Sequence, residues 1–330
     1  MNSNLNAMPT AISAISNAAA ALAGETIVEC VAAGKGANSR TYRVTTPSRR
    51  LALKSYPKRA GDGRDRLAVE VKTLNFLRRQ GLTCVPEAVA ADHDAGLLLM
   101  QWCEGDIVQR HTDRDLQTAI DFMATIFRAS DAAIHEDFPP ASEACLSSAE
   151  IVAQIHARLN AFATNARLEN FLDEQFRPRL AAACAPIAGE LAAGQALAPR
   201  LRRLIPADFG FHNALRTDDG QLSFIDFDYF GWDDPVKLTA DFVLHPAMRL
   251  SGGDKAAVID GLEAALPADG SFRARLQAHR PLYALRWALI LLNPFRADRL
   301  EQADPDDSLL HKRLDEQLQK AALMCEEASV

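Results

Sequence analysis

Between residues 26 and 56 apolar and polar side chains alternate with the two-residue period of strands. IVECVA leads through the turn AGKGANS into RTYRVTT, and a second turn leads into RLALKSY, so two successive hairpins predict an antiparallel meander. The period then lengthens. AGDGRD reads as a loop and RLAVEVKTLNFLRRQG as a helix, with Val69, Leu74, Phe76 and Leu77 near one face and Gly81 as its stop. After Pro86 two more strand-like pieces follow, EAVAAD and GLLLMQWCEG, separated by DHDAG. Beyond Gly105 the stretches 114–132, 147–163, 168–186, 254–265, 272–292 and 307–327 carry helical periodicity. One strand-rich island, residues 204–235, interrupts them. The alanine-rich stretch 11–23 reads as an opening helix or a frayed tail. The expected architecture is α+β: a small antiparallel-sheet lobe over residues 1–103 and a larger, mainly helical lobe over residues 104–330.

A length of 330 residues accords with about two domains. Acids outnumber bases, 43 to 36, and this balance argues against a nucleic-acid or anionic-membrane partner, although a local basic patch is compatible with it. The best apolar run, residues 287–292, falls far short of the roughly 20 residues of a membrane helix. No Lys or Arg precedes Lys35, so a secretory n-region is not expected. The 6 cysteines are scattered without a C-x-x-C pair, which predicts reduced thiols in a cytoplasmic protein, monomeric or homodimeric, rather than a structural zinc.

The island holds the polar groups hardest to explain as packing. Asp208 and Asn213 lie five positions apart on a loop, and Asp226 interrupts the apolar strand LSFIDFD, where a charge is costly unless paired or bound to a cation. Two carboxylates and an amide form a hard oxygen set suited to magnesium, which commonly binds few protein ligands together with substrate phosphates. A nucleoside triphosphate is the implied companion. The turn containing Gly34 and Gly36 lies between two strands and lacks both the dinucleotide fingerprint and the P-loop spacing, but its backbone N–H groups could still cover phosphates. Lys54 ends the strand LALK, where its ammonium could reach an oxyanion, and Glu70 on the following helix is a suitable partner.

In this order, the Gly-containing hairpin, Lys54, Glu70, LLLMQWCEG, Asp208-x-x-x-x-Asn213 and Asp226 resemble the aminoglycoside phosphotransferase and choline kinase group. That group has the protein-kinase-like fold. The run SFIDFDYFGWDDPVKLTADF matches its I-D…G-D-P-x-x-D-L-A segment. The resemblance implies an enzyme that moves the γ-phosphoryl group of ATP (or GTP) to a hydroxyl of a small molecule: a sugar, an amino alcohol or an aminoglycoside-like compound. It also implies the roles. Asp208 orients the acceptor hydroxyl and takes its proton, Asn213 and Asp226 hold Mg2+, Lys54 pairs with the phosphates, and Glu70 fixes Lys54. The backbone of Gln101, Trp102 and Cys103 meets the adenine beside Met100. One departure stands out: the family usually has a His before the catalytic Asp, and this chain has Pro206-Ala207. His212 is a candidate to fill some of that space, with no catalytic role assigned.

Structural readings compete with these. Lys54 and Glu70 would then be solvated, Asp208 a turn residue and Asn213 a cap. Asp228 would share the face of Asp226 if the strand continued, as an exposed group or a second metal contact. Asp233 and Asp234 read as a turn, and Asp241 as a helix cap or, by resemblance, a brace of the catalytic loop. Arg273, Arg275, Arg280, Arg286 and Arg296 read mostly as a solvated face, though an anionic or sugar acceptor could draw on them. The rival in function is a catalytically silent nucleotide- or partner-binding module on the same scaffold.

Overall fold

The computed structural model describes residues 8–35, 39–57, 63–301 and 307–329. Helix α1 (Met8–Ala23) precedes strands β1 (Glu29–Lys35), β2 (Arg40–Thr45) and β3 (Arg50–Ser55). Helix α2 (Arg66–Arg79) leads to β4 (Ala88–Asp92), β5 (Leu97–Gln101) and β6 (Asp106–Ile107). Next come α3 (Asp113–Ala129), α4 (Ser148–Leu159), α5 (Ala166–Phe171), α6 (Arg177–Cys184), α7 (Ala188–Ala193) and β7 (Arg203–Ile205). The island continues with β8 (Ala214–Arg216), β9 (Leu222–Phe224) and β10 (Gly231–Asp233). The chain closes with α8 (Pro235–Leu244), α9 (Gly252–Ala264), α10 (Phe272–Leu291), α11 (Ala297–Leu300) and α12 (Ser308–Glu326). Contacts divide it into two compact units, Met1–His111 with Pro206–Phe230, and Thr112–Ile205 with Gly231–Val330.

In the first unit the expected meander forms a five-stranded antiparallel sheet, ordered β1-β2-β3-β5-β4. Strand alternation divides its side chains between two faces. Val44, Leu51, Leu53, Leu97 and Leu99 form one core, which Ile15, Ala18, Ala19 and Leu22 of α1 cover. The register pairs Lys54 with Leu98 and Ala52 with Met100, which puts those four residues on the opposite face. Helix α2 starts at Asp65, whose side chain accepts the Ala68 N–H, and it stops just before Gly81, at φ 81°. A second sheet, β6-β8-β9, carries the first half of the island. Gly105 makes its first turn possible: φ is 112°, and a Cβ there would stand 2.5 Å from the Arg216 carbonyl oxygen.

The second unit is helical around α10, which packs against α4, α6, α8 and α12, and it includes the two-stranded β7–β10 pair. Two expectations need correction here. The stretch 168–186 is not one helix, because a π-helical turn at Leu172–Phe176 separates α5 from α6. Asp241 does not cap a helix either. Asp234 caps α8, accepting the Val236 N–H, while Asp241 lies inside it. All of α8 is buried, so its charges must be paired internally. The Lys237 ammonium donates to Asp241 at 2.8 Å, and Arg286 Nη1 and Trp287 Nε1 donate to the other carboxylate oxygen at 3.2 and 2.9 Å.

Asp233, fully buried at the end of β10, supplies a pH test of this unit. Its Oδ1 accepts the N–H groups of Cys145 and Asp234, each at 2.8 Å, while Oδ2 has no hydrogen-bond partner among the described residues. Burial, opposed by Lys237, pushes this carboxyl up to about 7. The native chain therefore keeps a proton that the unfolded chain releases near pH 4, so stability falls as pH rises toward 7 and then levels off. Asp233→Asn keeps the acceptor and removes the titration. Urea unfolding should show the variant gaining about 2 kcal/mol on the wild type between pH 5 and pH 8. A constant difference would mean that Asp233 is ionised throughout.

Candidate functional site

Lys54 projects from β3 with only 3% of its surface exposed, and a buried ammonium needs carboxylates. It has two. Its Nζ donates to Glu70 Oε2 and to Asp226 Oδ1, each at 2.5 Å. Burial alone would depress this lysine, but Glu70 and Asp226 more than offset it and hold its pKa above the ordinary value. Glu70, fully buried on α2, also accepts the Tyr56 hydroxyl, and the Phe227 N–H donates to its Oε1 at 3.3 Å. Glu70 thus joins the lysine to the backbone beside Asp226.

Asp226 lies beyond β9, which ends at Phe224, so the strand expected to contain it stops short. Two apolar residues, Phe224 and Ile225, adjoin at the end of β9, and beyond them Asp226 turns into the left-handed region at φ 71°. Its neighbour Asp228 is buried, with Oδ2 4.0 Å from Arg66 Nη1. Burial, with Lys54 opposing and Asp226 and Glu70 adding, pushes the Asp228 carboxyl up to about 7. Carboxylate oxygens of Glu70, Asp226 and Asp228 lie within 4.8 Å of one another.

The loop carrying Asp208 and Asn213 belongs to the same unit. Its first turn is tight: the Asp208 N–H donates to the Pro206 carbonyl at 2.7 Å across Ala207, whose φ is 55°. A single turn of 3-10 helix, Phe211–Asn213, closes the loop. Asn213 Nδ2 donates to the Asp208 carbonyl at 3.0 Å, and the Asn213 carbonyl accepts the Ile225 N–H at 2.9 Å. That bond sets Asn213 across the ladder from the residue preceding Asp226. With its nitrogen committed, the amide offers Oδ1 as a ligand atom. Asn213 Oδ1 and the Asp226 carboxylate are hard oxygen donors, the type a magnesium ion takes.

Other expected residues fall as follows. Gly34 sits in β1 opposite Thr41, at a register shift, and Gly36 lies outside the described residues. Met100 shares the sheet face of Lys54. Gln101 ends β5 with an exposed side chain, and Trp102 and Cys103 follow it, half-buried and outside any strand. Two contacts escape a reading of the motifs alone. Tyr56 reaches Glu70 because it lies two residues beyond Lys54, and His212 Nε2 lies 3.0 Å from Asp208 Oδ1. The strand period gives a cue to the first; nothing in the spacing signals the second.

The late arginines are not a free basic surface. Arg273 pairs with Asp260 and Glu263, Arg275 with Asp234 and Asp269, Arg280 with Glu327, Arg286 with Glu143 and Asp241, and Arg296 with Asp298. The partners of Asp241 likewise lie on α8 and α10.

Among the described residues no helix is long and apolar enough to cross a membrane. No curated protein matches the chain. Solved structures do. Choline kinase LicA from Streptococcus pneumoniae is 16% identical with a TM-score of 0.58, over 94% of this chain and 98% of that one. Spectinomycin phosphotransferase APH(9)-Ia, solved with ADP and spectinomycin, is 12% identical with a TM-score of 0.59, over 96% and 98%. Aminoglycoside phosphotransferase APH(4)-Ia is 13% identical with a TM-score of 0.54, over 95% and 99%. These likenesses identify the α+β, two-lobe kinase-like fold. The model of the phosphotransferase enzyme family matches residues 29–274, three-quarters of the chain, and the chain therefore belongs to that family, as a small-molecule phosphotransferase.

Proposed function

We propose that the chain is an ATP- and magnesium-dependent kinase, acting in the cytoplasm, that transfers the γ-phosphoryl group to a hydroxyl of a small molecule. The observation that carries this reading is the buried Lys54, held between Glu70 and Asp226 in the same unit as Asp208 and Asn213. Phosphoryl transfer asks for positioning and charge neutralisation, and these residues supply both. Lys54 is a fixed cation for nucleotide phosphates, with Glu70 and Tyr56 preventing its withdrawal. Asn213 Oδ1 and the Asp226 carboxylate would hold magnesium, which supplies charge neutralisation at the phosphate oxygens when bound. Asp208, half-exposed on its loop, orients the acceptor hydroxyl and accepts its proton. Free cysteines accord with a reducing compartment.

The acceptor class follows the relatives, whose names specify choline and spectinomycin, both small alcohols. The paired arginines remove the reason to prefer an anionic acceptor over a cationic one. Calorimetry with a non-hydrolysable ATP analogue should show binding that magnesium tightens. A panel of hydroxylated amines, sugars and antibiotics should release ADP with at least one member. Nucleotide binding without turnover on any member would favour a silent binding module, and absence of nucleotide binding would overturn the proposal.

A further inference from the structure

We infer that His212 is a positioning residue for Asp208, fixing the rotamer in which the carboxylate meets the acceptor hydroxyl; this rests on the kinase reading above. Asp208 has 51% of its side chain exposed, and a solvated carboxylate on a short loop would sample several rotamers. A single well-defined base direction needs a second tether. The geometry supplies one: His212 Nε2 lies 3.0 Å from Asp208 Oδ1, four residues along the same loop. A carboxylate can only accept, so Nε2 carries the hydrogen and the imidazole is the Nε2–H tautomer or doubly protonated. The imidazole ring is itself confined, with 24% of its side chain exposed.

The backbone of the loop is tied separately. Asn213 Nδ2 holds the Asp208 carbonyl, and the Pro206 carbonyl holds the Asp208 N–H. With the main chain fixed at both groups, the His212 contact acts on the χ angles of the acid. Pro206-Ala207 offers no side-chain donor before Asp208, and His212 supplies one four positions after it.

A donor at the Nε2 position is therefore what matters, and the reach of the side chain tests it. Gln places its amide nitrogen near the imidazole Nε2, whereas Asn reaches only to the level of Nδ1. His212→Ala and His212→Asn should lower kcat by about 10- to 100-fold, with the KM for nucleotide unchanged, because a misdirected base loses rate rather than affinity. His212→Gln should recover most of that loss. In 15N-edited spectra, the wild type should show hydrogen on Nε2 of His212, and Asp208→Ala should relax that preference. Equal losses in the Gln and Asn variants at matched melting temperature would overturn the inference, as would wild-type kcat in His212→Asn. A wild-type chain that bound no nucleotide would overturn the kinase reading instead, so the two failures are distinguishable.

Discussion

Asp208→Asn should cost about 10²- to 10⁴-fold in kcat while nucleotide affinity stays at the wild-type level. The substitution preserves shape and an acceptor oxygen, so the contact with His212 Nε2 survives. What disappears is the negative charge and the capacity to take a proton. In a loose transition state the hydroxyl proton leaves late, and the acid acts mainly by orienting the nucleophile and stabilising it as bonding begins. The expected loss corresponds to about 3–5 kcal/mol of transition-state stabilisation. Affinity should hold because Lys54, the cation assigned to the nucleotide phosphates, is anchored by Glu70, and Asn213 keeps its bond to the main-chain carbonyl of residue 208. Single-turnover transfer alongside calorimetric nucleotide binding separates the two quantities. Wild-type turnover in Asp208→Asn would remove the acid from the chemistry, and a parallel loss of affinity would give it a binding role instead.

Much of this arrangement was legible in the sequence because periodicity carries it. Alternation in 26–56 identifies two hairpins, and the same alternation places Lys54 opposite the face that α1 covers. Glu70 falls on the buried side of α2 among Leu67, Thr73, Leu74 and Leu77, as a helical period allows. Sequence reasoning fails where backbone geometry departs from a period. LSFIDFD reads as one strand, yet β9 ends at Phe224, where two apolar residues adjoin and the alternation changes phase, and Asp226 enters the left-handed region, which hydropathy does not encode. Ala207 at φ 55° is equally silent in the sequence. Helix α8 was hidden for a different reason. Asp233 and Asp234 before Pro235 read as a turn and Asp241 as a helix cap or a brace, whereas Asp234 meets Arg275 and Asp241 meets Arg286, both from α10. Long-range pairing of this kind has no local signature. The late arginines teach the same lesson, since each finds a carboxylate that the helical period alone does not select.

Asp226→Asn should abolish the magnesium dependence of nucleotide binding and lower turnover by about 10²- to 10³-fold or more. Asn is the informative replacement because Asp226 sits at φ 71°, a region Asn adopts at less cost than Ala; Asp226→Ala would add about 1 kcal/mol of backbone strain to the loss of charge. Stability should change little. Lys54 loses one of its two carboxylates but keeps Glu70, and the repulsion that Asp226 exerts on Asp228 and Glu70 is relieved at the same time. With the charge of Asp226 gone, the Asp228 carboxyl should fall from its raised value. In the presence of a chelator, wild type and variant should then bind the ATP analogue alike, since Lys54 serves both. Adding magnesium should tighten only the wild type. A variant that kept the full magnesium response would move the metal from Asp226 to the neighbouring oxygens of Glu70 and Asp228, and the role of Asp226 would reduce to holding Lys54.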